Sequence, residues 1–224
     1  EIRNSPLFSG YDALERLGVL LIAGDRGMAG GYNRKVVQEA VEHIETHDDP
    51  VSLLVIGKEG RDMISAEGYD LEAYFPLTDQ DTEPEDVTEV TRALMGGYRE
   101  ARFQRAIMVY TPFVPGKEPT PRTRQLFPIR PAEELPPRHY IFEPHAEEVL
   151  SSLLPQALRF QVYEAFLTSL TAEHASRAVA MRKATQNGNE LIERLTLDYN
   201  KARQASITED LMDIVGGASA LYKE

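Results

Sequence analysis

No cysteine occurs among the 224 residues. Disulfides, thiolate metal ligation and thiol nucleophiles are thereby excluded, and the composition fits a reducing compartment. No apolar run approaches the ~18–20 residues of a membrane-spanning helix; the best candidate, residues 17–23, has the length of a strand. The opening stretch, Glu1-Ile2-Arg3-Asn4-Ser5, offers neither a basic flank nor an apolar segment, so no signal or transit peptide is expected in it. Positive charge is scarce. The 24 Lys and Arg face 36 Asp and Glu, and the net charge of −12 disfavours nucleic-acid binding through phosphate neutralisation. Proline does not recur after Pro155.

That last absence is the most informative. From Leu158 to Leu221 nothing interrupts a helix, which at ~1.5 Å per residue would run about 95 Å. Leu158, Val162, Phe166 and Leu170 form an apolar stripe at its start. Beyond Gly188 the rows change: Ile192, Leu195, Tyr199 and Ala202 step by three, four and three, the spacing of a coiled-coil seam. A seam implies a second helix, and the other candidate helices are short. The end of the rod is slim, with Ala202, Ala205, Ser206, Gly216, Gly217, Ala218, Ser219 and Ala220 where a self-sufficient helix would carry bulk. Such a rod calls for a sheath of other polypeptides. Its charge turns basic between Arg177 and Arg203, whereas residues 39–89 are acidic, opposed only by Lys58 and Arg61.

The first two thirds alternate strand and helix. Residues 17–23 and 51–56 are apolar on both faces and read as buried strands. The first runs into a glycine-rich turn, Gly24 to Gly31, after which Asn33 is placed to cap a helix through Ile44. A short helix is expected from Lys58 to Ala66, a third strand from Asp70 to Phe75, and a helix from Thr82 or Glu83 to Ala101, with Pro84 in its first turn. Residues 105–110 are another strand. The proline-rich stretch 116–137 leaves room for an edge strand between Arg122 and Arg130. His139 to Pro144 is a last extended segment. This is an α/β layer with a mainly parallel sheet, body 1–144, followed by a helical region 145–224.

The glycine turn follows a strand and precedes a helix, a place where backbone N–H groups can meet a phosphate. It lacks the Gly-x-x-x-x-Gly-Lys-Ser/Thr pattern, and Gly27, Ala29 and Gly30 do not fit the dinucleotide spacing. The other reading is a tight crossover in which glycines supply positive φ or close approach. Asp25 and Arg26 are either a local ion pair or, for Asp25, an unpartnered catalytic carboxylate. His43 and His47 lie four apart on one helical face, but Glu42 does not complete a His-Glu-x-x-His motif, so two surface histidines are expected and neither a metal nor a cofactor. On the rod, Lys201, Arg203 and Gln204 stand among alanines. A guanidinium and an amide there could latch a partner's carboxylates directionally.

At these residues a family resemblance emerges. Tyr199-Asn200-Lys201-Ala202-Arg203-Gln204-Ala205-Ser206-Ile207-Thr208-Glu209-Asp210-Leu211-Met212-Asp213-Ile214-Val215-Gly216-Gly217-Ala218 closely resembles the C-terminal signature of the gamma subunits of F-type ATP synthases. Ala178-Val179-Ala180-Met181-Arg182-Lys183-Ala184-Thr185-Gln186-Asn187-Gly188 is similar to the segment before it. Gly24-Asp25-Arg26-Gly27-Met28-Ala29-Gly30-Gly31-Tyr32-Asn33 is similar to the family's Asp-Arg-Gly-Leu-x-Gly-Gly-x-Asn turn.

The resemblance implies a Rossmann-like α/β foot and a long C-terminal helix that pairs with an N-terminal helix in an antiparallel coiled coil. It implies a non-catalytic rotor that couples proton or sodium flow to ATP synthesis or hydrolysis. Arg203, Gln204, Ile207, Thr208, Glu209 and Asp210 would face the alpha and beta subunits of the catalytic hexamer. Tyr140, Phe142 and Glu143 would face the epsilon subunit and the c-subunit ring. Asp25, Arg26, Gly27, Gly30, Gly31 and Asn33 would build a structural turn. Three departures stand out. The chain is expected to start where the family's N-terminal helix has ended, Asp210 replaces the usual Glu, and the cysteine-bearing insertion of chloroplast forms is missing. The expected location is the cytoplasmic face of a bacterial plasma membrane, peripheral and without direct insertion. Two other readings stay open: a small α/β nucleotide- or phosphate-binding enzyme built on the Gly24–Gly31 turn, and a helical adaptor for an unrelated partner.

Overall fold

A six-residue run that is apolar apart from one glycine, Leu17–Ile22, has no face to give to water, and it becomes the centre of a sheet (β1) in which every residue is buried. The computed structural model describes residues 6–11, 13–47, 49–80, 83–129, 143 and 145–221. A short helix, α1 (Pro6–Ser9), precedes β1. After it come α2 (Tyr32–Glu45), β2 (Val51–Ile56), α3 (Lys58–Ala66), β3 (Ala73–Phe75), α4 (Thr88–Arg99), β4 (Arg105–Tyr110), β5 (Arg122–Phe127) and α5 (Ala146–Leu221). The chain groups into two compact units, Glu1–Ala178 and Val179–Glu224, which divide within α5. Among the described residues no helix is long and apolar enough to cross a membrane.

The sheet has the order β3-β2-β1-β4-β5. β1 pairs in parallel with β2 (Leu17 opposite Val51) and with β4 (Leu17 opposite Arg105); β3 continues the parallel set, and β5 runs antiparallel at the edge. β5 sits between Pro121 and Pro128, as an edge strand tolerates. Because successive side chains alternate across a strand, β1 feeds two cores. Leu17, Val19 and Leu21 pack with Val36, Val37, Ala40 and Ile64 of α2 and α3. Leu20 and Ile22 pack on the other face with Leu94 and Tyr98 of α4 and Leu158, Val162 and Phe166 of α5. The chain winds outward from β1 in one direction and returns to its other side through α4. The strand order therefore reverses between β1 and β4, which is the doubly wound arrangement.

Several elements depart from expectation. α4 starts at Thr88, so Pro84 lies in the turn ahead of the helix, where Asp86 accepts the Glu83 N–H at 2.8 Å. The third strand is three residues long. Asn33 caps nothing: α2 begins at Tyr32 with Gly31 at its N-cap and no side-chain cap. α1 was not anticipated. It is held by Ile129, whose N–H donates to the Leu7 carbonyl at 2.7 Å. Pro155 lies inside α5. His139 and most of the expected extended segment lie outside the described residues.

α5 changes character along its length. In the first unit, Leu158, Val162, Ala165, Phe166 and Ala172 are buried, while Leu170 is half-buried. In the second unit every described side chain from Met181 to Ala218 is exposed. The seam residues Ile192, Leu195 and Tyr199 are 63%, 57% and 66% exposed.

Phe103 locks α4 to the sheet. A Cβ on Gly18 of β1 would stand 2.7 Å from its ring, and one on Gly97 of α4 would stand 2.4 Å from it, so the two glycines form a slot for one fully buried phenyl. Gly96, one residue earlier, has nothing closer than Arg102 Nη2 at 4.0 Å. The neighbouring glycines therefore respond oppositely to alanine. Gly96→Ala gains helix propensity and stabilises by up to about 1 kcal/mol, while Gly97→Ala overpacks the slot and destabilises by about 1–3 kcal/mol. Urea denaturation of the two variants measures the difference, and equal midpoints would dismiss the slot.

Candidate functional site

In doubly wound sheets ligands enter at the reversal point, outside the carboxyl ends of the strands. In this chain that place is the end of β1 and the glycine turn. Gly30 adopts φ 63°, and the next glycine caps α2. Met28, with φ 61°, takes a left-handed conformation that a non-glycine residue seldom adopts, and its side chain is exposed. Gly27 and Gly31 show neither positive φ nor a tight neighbour. Gly24 is there for close approach, since a Cβ would lie 2.7 Å from Glu173 Cδ and 2.8 Å from Asn33 Oδ1.

The turn is tied into the protein through the Gly24 N–H, several of its carbonyls and the Asp25 carboxylate. Asn33, though helical, reaches back: its Oδ1 accepts the Gly24 N–H at 2.9 Å and its Nδ2 donates to the Arg26 carbonyl at 3.3 Å. Asp25 accepts the first N–H of α3, from Lys58, at 3.4 Å, and the Gly24 carbonyl accepts the Glu59 N–H at 3.1 Å. Asp25 thus serves the N-terminus of α3. Arg26 contributes its backbone carbonyl while its side chain is exposed.

α5 seals the crevice. Glu173, with its side chain 7% exposed, pairs with Arg177 at 2.5 Å. The Arg177 guanidinium also donates to the carbonyls of Gly27 (3.3 Å) and Arg26 (3.1 Å). Tyr32 donates its hydroxyl to the Ser169 carbonyl at 2.9 Å. Burial, reinforced by the negative Glu173, pushes the Tyr32 phenol far above its ordinary range, so it stays a neutral donor. The space left among Ile22, Asp25, Ser169 and Glu173 is a cavity of about 20 Å³, room for about one water and no nucleotide. Glu173 and Arg177 were missed as site residues. Their only trace in the sequence is opposite charges four apart on one helix face. Two expected surface histidines have structural bonds: His43 Nε2 lies 2.7 Å from Thr123 Oγ1 and His47 Nδ1 2.8 Å from the His43 carbonyl.

The second candidate site lies on the slim rod. Arg203, Gln204, Ile207, Thr208, Glu209 and Asp210 are all helical and exposed. At 100° per residue, Arg203, Ile207 and Asp210 share one face, Gln204 and Thr208 the adjoining one, and Glu209 points away. Thr208 returns its hydroxyl to the Gln204 carbonyl at 2.9 Å. Tyr140 and Phe142 lie outside the described residues, and Glu143 is exposed.

A family model described as ATP synthase matches residues 2–221. The ATP synthase gamma chain of Dehalococcoides mccartyi (strain CBDB1) is 39% identical over 211 residues, covering 93% of this chain and 74% of the relative. That of Moorella thermoacetica is 36% identical over 209 residues with the same coverage. Among solved structures, a chain of the Euglena gracilis mitochondrial ATP synthase (OSCP, F1 and c-ring, rotational state 3) superposes with a TM-score of 0.68 over 98% of this chain and 80% of its own, at 18% identity. A chain of the Tetrahymena thermophila mitochondrial central stalk and c-ring gives 0.64 over 82% and 84%, at 19% identity. At those identities the structural likeness bears on the fold.

The Glu173–Arg177 clamp predicts its own variants. Arg177→Met strands a buried carboxylate and costs about 3 kcal/mol, whereas the double change with Glu173→Gln restores most of it. Equilibrium urea unfolding reads both, and equal losses in single and double variants would refute the clamp.

Proposed function

The chain belongs to the ATP synthase gamma-chain family, and from that membership we propose that it works as a shaft performing no chemistry of its own. The foot, residues 1–144, rests against the epsilon subunit and the c-subunit ring through the segment holding Tyr140, Phe142 and Glu143. The shaft, residues 145–224, rises into the collar of alpha and beta subunits. The complex stands at the cytoplasmic face of a bacterial plasma membrane, and this chain touches the membrane only through its partners. Proton or sodium flow turns the shaft. Each beta subunit meets a different face in turn, and each contact shifts the populations of that subunit's nucleotide-binding states.

One observation carries the reading. Residues Met181 to Ala218 leave Val179's successors Leu191, Ile192, Leu195, Leu197, Ile207, Leu211, Ile214 and Val215 at 46–67% exposure on a continuous helix. Apolar area buried against partners is worth about 25 cal/mol per Å², so a rod of this kind gains much of its order from a sheath. Arg203 and Gln204 supply the directional contact, because guanidinium forks hold carboxylates in a fixed orientation. The filled crevice at the glycine turn supports a structural role for Asp25, Arg26, Gly27, Gly30, Gly31 and Asn33.

Reconstitution with alpha and beta subunits tests this. The native shaft co-purifies with them. The R203A/Q204A variant retains the fold and loses about tenfold in association or coupled ATP synthesis, the scale of one or two charge-assisted bonds. Unchanged synthesis in that variant removes the latch.

A further inference from the structure

α4 and the beginning of α5 enclose a cavity of about 360 Å³ whose walls carry three arginines, Arg92, Arg99 and Arg159, and no carboxylate. In a chain of net charge −12 that balance is inverted. Among the described residues Arg92 and Arg99 enter no ion pair. Arg159 has Nη1 3.7 Å from the exposed Glu85 carboxylate, beyond hydrogen-bond reach. Its Nε is buried and has no partner among the described residues. Native proteins rarely leave a buried donor unmet. Thr88 of α4 and Gln156 of α5 also line it, the Gln156 amide donating to the Ser152 carbonyl at 3.2 Å.

Three guanidinium groups lining one cavity concentrate positive charge there, which favours an anion. Their planar N–H forks match the oxygens of a tetrahedral oxyanion two at a time. The volume lies at the small end of the range for small-molecule sites. We propose that this cavity binds a soluble phosphate group, either inorganic phosphate or the phosphate of a small phosphoester. Arg92 and Arg99 of α4 and Arg159 of α5 hold it together. All these residues lie in the unit Glu1–Ala178, so the site does not depend on the shaft role.

Isothermal titration of the full chain with inorganic phosphate, at ionic strength fixed with chloride, tests this. Saturable one-site binding is expected, with glycerol phosphate competing. Arg92→Gln and Arg99→Gln each weaken it roughly tenfold. Both side chains are exposed, so folding is not at stake. Arg159→Gln weakens it likewise. Absence of saturation overturns the proposal, as does unchanged affinity in the double variant R92Q/R99Q. Binding confined to phosphatidylglycerol vesicles, with none to free phosphate, overturns it too and assigns the arginines to a lipid surface.

Discussion

A helix can bury an apolar stripe only where something else supplies the facing wall, and α5 is governed by that constraint. Over Leu158, Val162 and Phe166 the wall is the sheet, and those residues are at most 5% exposed. Over Ile192, Leu195 and Tyr199 no described residue supplies one, and the same kind of side chain is more than half exposed. The transition falls just after Arg177, whose guanidinium ties α5 to the carbonyls of Arg26 and Gly27 and to Glu173. A fold of this type ordinarily opens a crevice at the carboxyl end of its sheet. Here that crevice is occupied by the helix that carries the shaft.

The consequence for function is a division of labour within one α/β plan. The doubly wound sheet keeps its order, its reversal point and its glycine-rich first turn, yet the Gly24 N–H and the carbonyls of Gly24, Arg26 and Gly27 are held by Asn33, α3 and Arg177. A fold that elsewhere holds a dinucleotide becomes a mount for a helix. On the proposed reading the working surface is the rod and not the strand ends, since one architecture can carry different sites.

Much of this was legible in the residues. Leu17–Ile22, Val51–Ile56 and Arg105–Tyr110 are apolar runs with strand length and clear stops, and Lys58–Ala66 has the length and flanking glycines of a short helix, so local pattern sufficed. The stripe from Leu158 to Phe166 was also visible by period, though which wall it faced was not. The failures share one cause. Asn33 has a capper's chemistry, yet a backbone carbonyl and N–H of the preceding turn hold its amide, so tertiary geometry overrode propensity. The Arg177 contacts span 150 residues of chain, and no local signal announces them. Met28 stands at a left-handed position that sequence would have given to glycine. On the rod, helicity and exposure followed from composition, and no described residue packs on Arg203, Gln204 or Thr208 enough to bury it.

The central claim is that the slim rod is made to be covered. The absence of cysteine gives a clean background for one introduced at Ser206, an exposed helical position among alanines. Maleimide labelling of Ser206→Cys would be followed in the isolated chain and after assembly with alpha and beta subunits. Rapid labelling of the isolated chain and strong protection on assembly are predicted. Equal labelling rates in both states would contradict the account.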